Sequence, residues 1–575
     1  MRKKWGNRIG AIVLACALTV NGLPVQSIST STRKAYAAAK SETEKQDVSQ
    51  PETKMGNVVL NGNDIAVNNV NGLTYKGFGM LSGNSTSDLL MDYKAEQPKA
   101  YAELMQYLFG GNYPIMNHVK LEMGNDRNTS TGPESCTKRT EKEKANVLRN
   151  PGWQLAADAK KINPKIKVSI LRCEAPVWAE TDEKIYQWYK ETILDAYEKY
   201  GYMVDYINLN INEKWDVDSD VAFTKKFAKW IAAETKETIP DEKALALYHK
   251  IKLVVSDEAG TASDSVVESM KSDSDFYNSV DVVGYHYSPW DDSNGGMKWL
   301  AQTKDKEVWN SEAQATFSNS AFRPSNNVKD PTTEGTGLGG TGSALEMANT
   351  FIKGFVQSRR SHVIYQPAIG SFYEGAQFSF KELVGARDPW SGWIHYDAGL
   401  LMLAHISKFA VTGWENEDNT AGIWRAVPQA SKCTADGTNP VNGRNGGENY
   451  MTLASPAKDN FSTMIVNDSE YPMEYKIQTK NMKLAEDQNL EIWETRAADD
   501  GAFNENYMKC IGTAKADDNG VYTVKVKPYS AVTVTTLQVA DDEEHTKALP
   551  VEGERTVLDT DRTGSKQDVE SDYLY

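Results

Sequence analysis

The chain alternates. Eight short runs rich in β-branched and aromatic residues are separated by longer stretches of helical period, and few folds accommodate that order. The runs are TYKGFGML (74–81), HVKLEM (118–123), IKVSILR (166–172), VDYINLN (204–210), IKLVVSD (251–257), VDVVGYHY (280–287), EVWNSE (307–312) and HVIYQPAIGSFY (362–373). Each is nearly continuous in apolar character, as strands buried on both faces are. Between them lie amphipathic patterns such as KAYAELMQYLF (99–109), DEKIYQWYKETILDAYEKYG (182–201) and DVAFTKKFAKWIAAETK (220–236). Strands alternating with helices predict an α/β fold, a (β/α)8 TIM barrel over 74–404.

The texture changes after Leu403. Turns rich in Gly, Asn and Asp separate short alternating runs such as YMTLAS, FSTMIVND and VYTVKVKPYSAVTVTTLQV. This predicts an antiparallel β-sandwich over 405–540. NVVLNGNDIAV, in the 57–73 segment before the barrel, reads as a strand that joins the sandwich. Residues 541–575 are charged and weakly apolar and read as a linker.

The N-terminus carries a targeting pattern of bacterial type. Arg2, Lys3, Lys4 and Arg8 precede the apolar run 9–20, and Ala35-Tyr36-Ala37 supplies a cleavage signature. We therefore expect a signal peptide over 1–37, a polar linker over 38–56, and a secreted or cell-surface protein. The apolar run is too short to span a bilayer, so no stable membrane insertion is expected. With 79 acidic and 63 basic residues the net charge is −16, which argues against a nucleic-acid partner. Cys136, Cys173, Cys433 and Cys510 remain after cleavage. Secretion permits Cys136–Cys173 and Cys433–Cys510 disulfides, with buried free thiols as the alternative. No CxxC or His cluster suggests a metal, and no cofactor is expected.

Two glutamates give this scaffold a chemistry. Glu213 follows Asn212 at the end of the fourth run, and Glu312 follows Ser311 at the end of the seventh. Polar residues at the carboxyl ends of barrel strands form the active site. Paired carboxylates there suit glycoside hydrolysis, one giving a proton to the leaving oxygen and the other attacking the sugar carbon. The roles call for a protonated Glu213, held so by burial and its partner's charge, and an ionised Glu312. His286 and Tyr287 end the sixth run, where either could donate a hydrogen bond to Glu312. Packing under the loops is the plainer reading of both. Asn212 suits a sugar hydroxyl, since an amide both donates and accepts. Asp126 and Thr129 follow the second run, Glu174 and Trp178 the third. Glu374, Arg387, Trp390 and Trp393 follow the last, where a Trp either floors a sugar site or plugs the core. Glu122 reads as barrel interior.

Together the segments YKGFGMLSGNSTSDLL, VKLEMGNDRNTSTGPES, NINEKW, VVGYHY, VWNSEA and SFYEGAQFS…RDPWSGW resemble glycoside hydrolase family 59, the galactosylceramidase family, in order and spacing from about Tyr75 to Gly413. The resemblance implies a barrel with a β-sandwich, often followed by a lectin-like domain. It implies a retaining exo-β-galactosidase with a carbohydrate or glycolipid substrate. By position it makes Glu213 the acid/base, Glu312 the nucleophile and Asn212 the Asn beside the acid/base, and it places Thr129 in the loop that contacts galactose. The sequence departs from the family at Gly83-Asn84-Ser85-Thr86-Ser87 after the first strand. Cys173 stands where the family has a sugar-stacking Trp. Phe380 stands near its substrate-binding Arg, a role left to Arg387 further on. These departures bear on specificity, with Glu174 and Arg387 the residues at issue. They leave open another β-glycoside specificity on the same machinery, or a catalytically silent carbohydrate-binding protein.

Overall fold

The computed structural model describes residues 51–83, 86–127, 134–259, 262–287, 289–291, 294–315, 338–339, 343–366, 368–370, 383–410, 424–434, 446–497, 504–551 and 553–554. The expected signal peptide and the linker up to residue 50 lie outside them. The first strand, β1 (Lys54–Asn61), belongs to the sandwich. The barrel strands follow: β2 (Gly77–Ser82), β3 (His118–Glu122), β4 (Lys167–Arg172), β5 (Tyr206–Ile211), β6 (Lys252–Ala259), β7 (Val282–His286), β8 (Glu307–Ala313) and β9 (His362–Tyr365). They pair in sequence order, all parallel, and β9 closes on β2. Each predicted run thus supplies one barrel strand. The eighth is shorter than its apolar run, because Ile369–Gly370 leaves the barrel to pair with Val384–Asp388 in a small separate sheet.

The helices outside the barrel start and stop where local chemistry dictates. In Asp182–Tyr200, the Thr181 side chain accepts from the Lys184 N–H at the N-cap, and Gly201 closes the helix at φ 79°. Tyr186, Tyr189, Ile193 and Ala196, spaced by three and four, bury its inner face. The third predicted helix forms at Val217–Ala233, slightly ahead of its apolar pattern, because the Asp216 side chain accepts from Ser219 N–H and caps it there.

The sandwich packs β1, Met473–Lys480 and Val521–Val526 against a larger, antiparallel sheet. β1 enters parallel to Met473–Lys480, so the first strand does join the sandwich and the small sheet is mixed. The helix Gly399–Ala410, apolar around nearly its whole circumference, runs beneath the sheet. His405 on it bonds both Thr533 Oγ1 (2.9 Å) and Thr495 Oγ1 (2.8 Å).

Two expectations change. The segment from 541 onward begins as a packed strap. A short helix, Glu543–Thr546, buries His545 against Phe409 and Trp493, and Glu544 accepts from the Asn112 backbone. All four cysteines are free thiols. Cys136 Sγ donates to Lys138 O at 3.0 Å, and Cys173 lies elsewhere, among the barrel side chains. Cys433 pairs into one edge of the large sheet and Cys510 lies on the strand at its other edge. Five strand spacings of about 4.8 Å far exceed the ~7 Å limit between Cα atoms of a disulfide.

Three buried imidazoles give a pH prediction. Burial lowers His118 well below its usual value, His362 to about 4 and His405 to about 3. The unfolded chain, with histidines near 6.5, takes up these protons first. The stability they contribute is therefore complete above pH 6.5 and is lost as pH falls through the folded values. The urea midpoint should drop between pH 7 and pH 4.5, and less steeply in His405→Gln. An unchanged midpoint, or an unchanged slope in the variant, would contradict this.

Candidate active site

The barrel interior is polar to an unusual depth. At the floor, His118 Nδ1 meets His362 Nε2 at 2.9 Å, and His118 Nε2 meets Ser169 Oγ at 2.8 Å. Trp309 packs edge-on against both imidazoles.

Above this layer lies a buried ion network. Lys120 Nζ, projecting from β3, donates to both carboxylate oxygens of Asp257 at 2.9 Å and to Ser311 O at 3.1 Å. Asn208 Nδ2 of β5 donates to Asp257 Oδ2 at 2.9 Å, and His286 Nε2 of β7 bonds Asp257 Oδ1 at 2.9 Å. All four side chains are essentially excluded from water. Burial works against an ionised Asp257, but Lys120 and His286 outweigh it and hold the carboxyl well below its usual range. Burial likewise works against a charged His286, but Glu312 and Asp257 raise it to about 9. An imidazolium thus stands on a buried carboxylate.

Its other nitrogen faces the two glutamates. His286 Nδ1 lies 3.6 Å from Glu213 Oε1 and 3.8 Å from Glu312 Oε2. Tyr287 bridges the pair from above: its hydroxyl oxygen is 2.5 Å from Glu312 Oε1 and 2.9 Å from Glu213 Oε1. The facing atoms of Glu213, His286 and Glu312 all lie within 4.8 Å of one another. Burial, then the charges of Glu312 and Glu213, push the Tyr287 phenol far up, so it stays protonated and donates. A phenol has one hydrogen, and the shorter contact assigns it to Glu312.

The backbone is strained where this happens. Glu213, Ser256, Asp257 and Tyr287 all have positive φ, at 58°, 79°, 46° and 57°. Such angles cost free energy in non-glycine residues and cluster at functional sites. The β6–β7 register shifts between Ser256 and Glu258, and this bulge aims Asp257 inward. Backbone bonds then lock the strand ends together: Glu213 N–H to Asp257 O at 3.0 Å, and Tyr287 N–H to Glu312 O at 2.9 Å. Gly284 allows β7 this close, since a Cβ there would lie 2.7 Å from Ser311 Oγ.

The resting charge of Glu213 differs from the expectation of a protonated acid. His286, aided by Tyr287 and opposed by burial, lowers its carboxyl. The Glu213 side chain is 48% exposed, so desolvation is too weak to outweigh a facing imidazolium. The site's mobile proton therefore rests on His286.

The other predicted residues divide. Asn212 follows β5 beside Glu213, and its Oδ1 is buried with no partner among the described residues. Glu174 is taken by an ion pair with Arg127 and lies 3.9 Å from Lys214. Trp178 is held by its indole N–H to Lys138 O (2.9 Å) and by the Lys138 ammonium over its ring. Asp126 is paired to Arg139. Trp390 is exposed, whereas Trp393 is buried and stacks on His395. Glu122 is buried in the barrel, as expected. Arg387 lies on Val384–Asp388, but its side chain, like Thr129, Glu374 and Phe380, falls outside the described residues. Sequence reasoning missed Lys120, Asp257 and Asn208. Their signal was a charged or amide side chain inside an apolar strand, which burial makes costly unless paired.

A closed eight-stranded barrel with two facing carboxylates at the ends of its fourth and seventh strands defines the class: a glycoside hydrolase of the barrel type. The profile of "Glycosyl hydrolase family 59" matches residues 75–408, and the chain belongs to that family. It is 25% identical over 478 residues to galactocerebrosidase of Mus musculus, covering 81% of this chain and 61% of that one. It is 26% identical over 357 residues to galactocerebrosidase of Danio rerio, covering 60% and 46%. The match thus spans about half the length of such relatives. Among solved structures, the catalytic domain of a family 30 xylanase C from Talaromyces cellulolyticus superposes with a TM-score of 0.53 at 11% identity, covering 83% of this chain and 99% of that one. A conserved exported protein from Bacteroides fragilis gives 0.54 at 13%, covering 81% and 99%. At these identities the likeness is one of fold. Among the described residues, no helix is long and apolar enough to cross a membrane.

Proposed function

We propose that the chain is a secreted retaining exo-β-galactosidase that hydrolyses terminal β-galactosides of glycolipids or glycans by double displacement. The observation that carries this reading is the approach of Glu213 and Glu312, whose facing oxygens lie within 4.8 Å. Carboxyl groups about 5–5.5 Å apart suit retention, whereas inversion needs about 6.5–9.5 Å to admit a water. Glu312 attacks the anomeric carbon, its free oxygen steadied by Tyr287. His286 gives its proton to Glu213 across their 3.6 Å contact, and Glu213 passes it to the departing oxygen. Water then enters, Glu213 takes its proton, and the Glu312 ester is released as β-galactose. The orphaned Asn212 Oδ1 is placed to accept from a sugar hydroxyl. The galactosyl preference and the glycolipid aglycone are drawn from the relatives' names.

A second specificity is favoured by one residue. Cys173 is half-buried among the barrel side chains, close enough to Glu122 and Glu312 for both to raise its thiol, burial being the larger cause. A thiol beside the nucleophile offers no flat face for galactose to stack on, which favours another β-glycoside on the same machinery. A panel of aryl β-glycosides separates the readings. The galactoside should be cleaved fastest. Faster cleavage of a glucoside, fucoside or xyloside would move the specificity, and binding without turnover across the panel would overturn the enzyme reading.

A further inference from the structure

The opposite end of the barrel carries a feature with no part in this chemistry. A cavity of about 660 Å³ opens at the amino ends of β4, β5 and β6, and five lysines line it: Lys160, Lys161, Lys167, Lys250 and Lys252. The lining contains one carboxylate, Asp205, which lies 2.9 Å from Lys167 and 3.8 Å from Lys160. The partners of the remaining lysines are shared with cations outside the cavity. Glu307 faces Lys252 at 3.7 Å but also Lys76 at 3.5 Å. Asp158 faces Lys161 at 3.5 Å but also Lys94 at 2.6 Å. Lys250 has no carboxylate partner among the described residues. Six lysines therefore share three carboxylates and Lys250 adds a seventh cation, in a chain whose net charge is −16.

Helix ends explain part of this concentration. Lys160 and Lys161 lie in the last turn of Pro151–Ile162, where cations complement the helix dipole. Lys167, Lys250 and Lys252 come from strand starts and a turn, and have no such reason to converge. Like charges held together in a concave, partly dry site repel, and the cost falls when an anion enters. Lys160 registers that cost, since burial, only partly offset by Asp205, lowers its ammonium. The remaining lining is not ionic. Tyr200 and Tyr202 stack at 6.2 Å with an interplanar angle of 16°, and Ala157, Pro164, Met203 and Leu247 complete the wall. A bare phosphate would leave that surface unused.

We propose that this cavity is an anion-binding site for a saccharide bearing a phosphate or sulfate ester, separate from the catalytic pair. The lysines take the tetrahedral oxyanion and the tyrosine wall takes the ring. The proposal does not depend on the glycosidase reading.

Isothermal titration of the full chain at about 50 mM salt tests it, with glucose 6-phosphate, glucose 6-sulfate and neutral glucose as probes. At least one ester should bind saturably, more tightly than glucose by at least about tenfold, and weaken as salt is raised. The stronger ester identifies the source, a phosphorylated metabolite or a sulfated glycan. Lys161→Gln/Lys250→Gln changes two exposed side chains and should leave the melting temperature and aryl-glycoside turnover unchanged while weakening ester binding at least tenfold. Lys160→Gln should weaken it too. Equal binding of glucose, no saturable binding of either ester, or ester binding undiminished in the double variant would overturn the proposal.

Discussion

Glu312→Gln should lower turnover of an aryl β-glycoside by on the order of 10⁴-fold and leave the fold intact. The substitution is isosteric, so the Tyr287 hydroxyl, 2.5 Å away, keeps an acceptor and packing is undisturbed. What is lost is the negative oxygen that bonds to the sugar, and loss of a nucleophile costs about that factor. Glu213→Ala should behave differently. General acid–base catalysis contributes about 10²–10⁴-fold, and a good aryl leaving group needs little of it. With such a substrate, the first step should survive and the second stall. Azide, a small anion needing no general base, should enter the space left by the carboxylate, restore turnover and yield a β-glycosyl azide. Full activity in either variant, or azide rescue that yields an α-product, would break the assignment of roles.

Asp257→Asn should cost both stability and activity, although Asp257 does not face the substrate. The amide leaves the Lys120 ammonium buried beside a neutral group. Breaking one half of a buried pair costs roughly 3–5 kcal/mol. It also removes one of the three carboxylates that raise His286 to about 9. The alkaline limb of kcat/KM, set by loss of the imidazolium proton, should then move from near pH 9 toward neutral. Lys120→Met in the same chain removes the stranded charge and should recover much of the stability. It cannot return the carboxylate, so the pH limb should stay shifted. A merely structural Asp257 would show the opposite pattern: the limb unmoved, and activity recovered together with stability.

The barrel was legible because its signal is local. Near-continuous apolar runs at regular intervals, separated by amphipathic segments, leave little choice but parallel strands under helices. The meeting of Glu213 and Glu312 was legible for a related reason, since each carboxylate ends a run and the barrel brings run ends together. The supporting network was not. Lys120 meets Asp257 across 137 positions of sequence, and only the bulge in β6, with Ser256 and Asp257 at positive φ, turns the carboxylate inward. No local pattern encodes that bulge. The resting charge of Glu213 was misjudged because its half-exposed side chain and the facing His286 are both consequences of loop geometry. The cysteine pairings failed because strand order in the large sheet, unlike strand existence, is a long-range property. The strap over 541–549 was hidden by its charged composition, although its anchor, His545, is a single buried side chain.

The proposed retaining cycle requires Glu312 to form a bond to the sugar. A 2-deoxy-2-fluoro-β-galactoside with a reactive aryl leaving group tests this best, because the fluorine slows both steps while the leaving group restores the first, so the covalent intermediate accumulates. Mass spectrometry of the treated protein should show one added fluorogalactosyl unit, and the peptide carrying it should contain Glu312. An unlabelled protein that nonetheless turns over the parent galactoside, or a label on any other residue, would contradict the account.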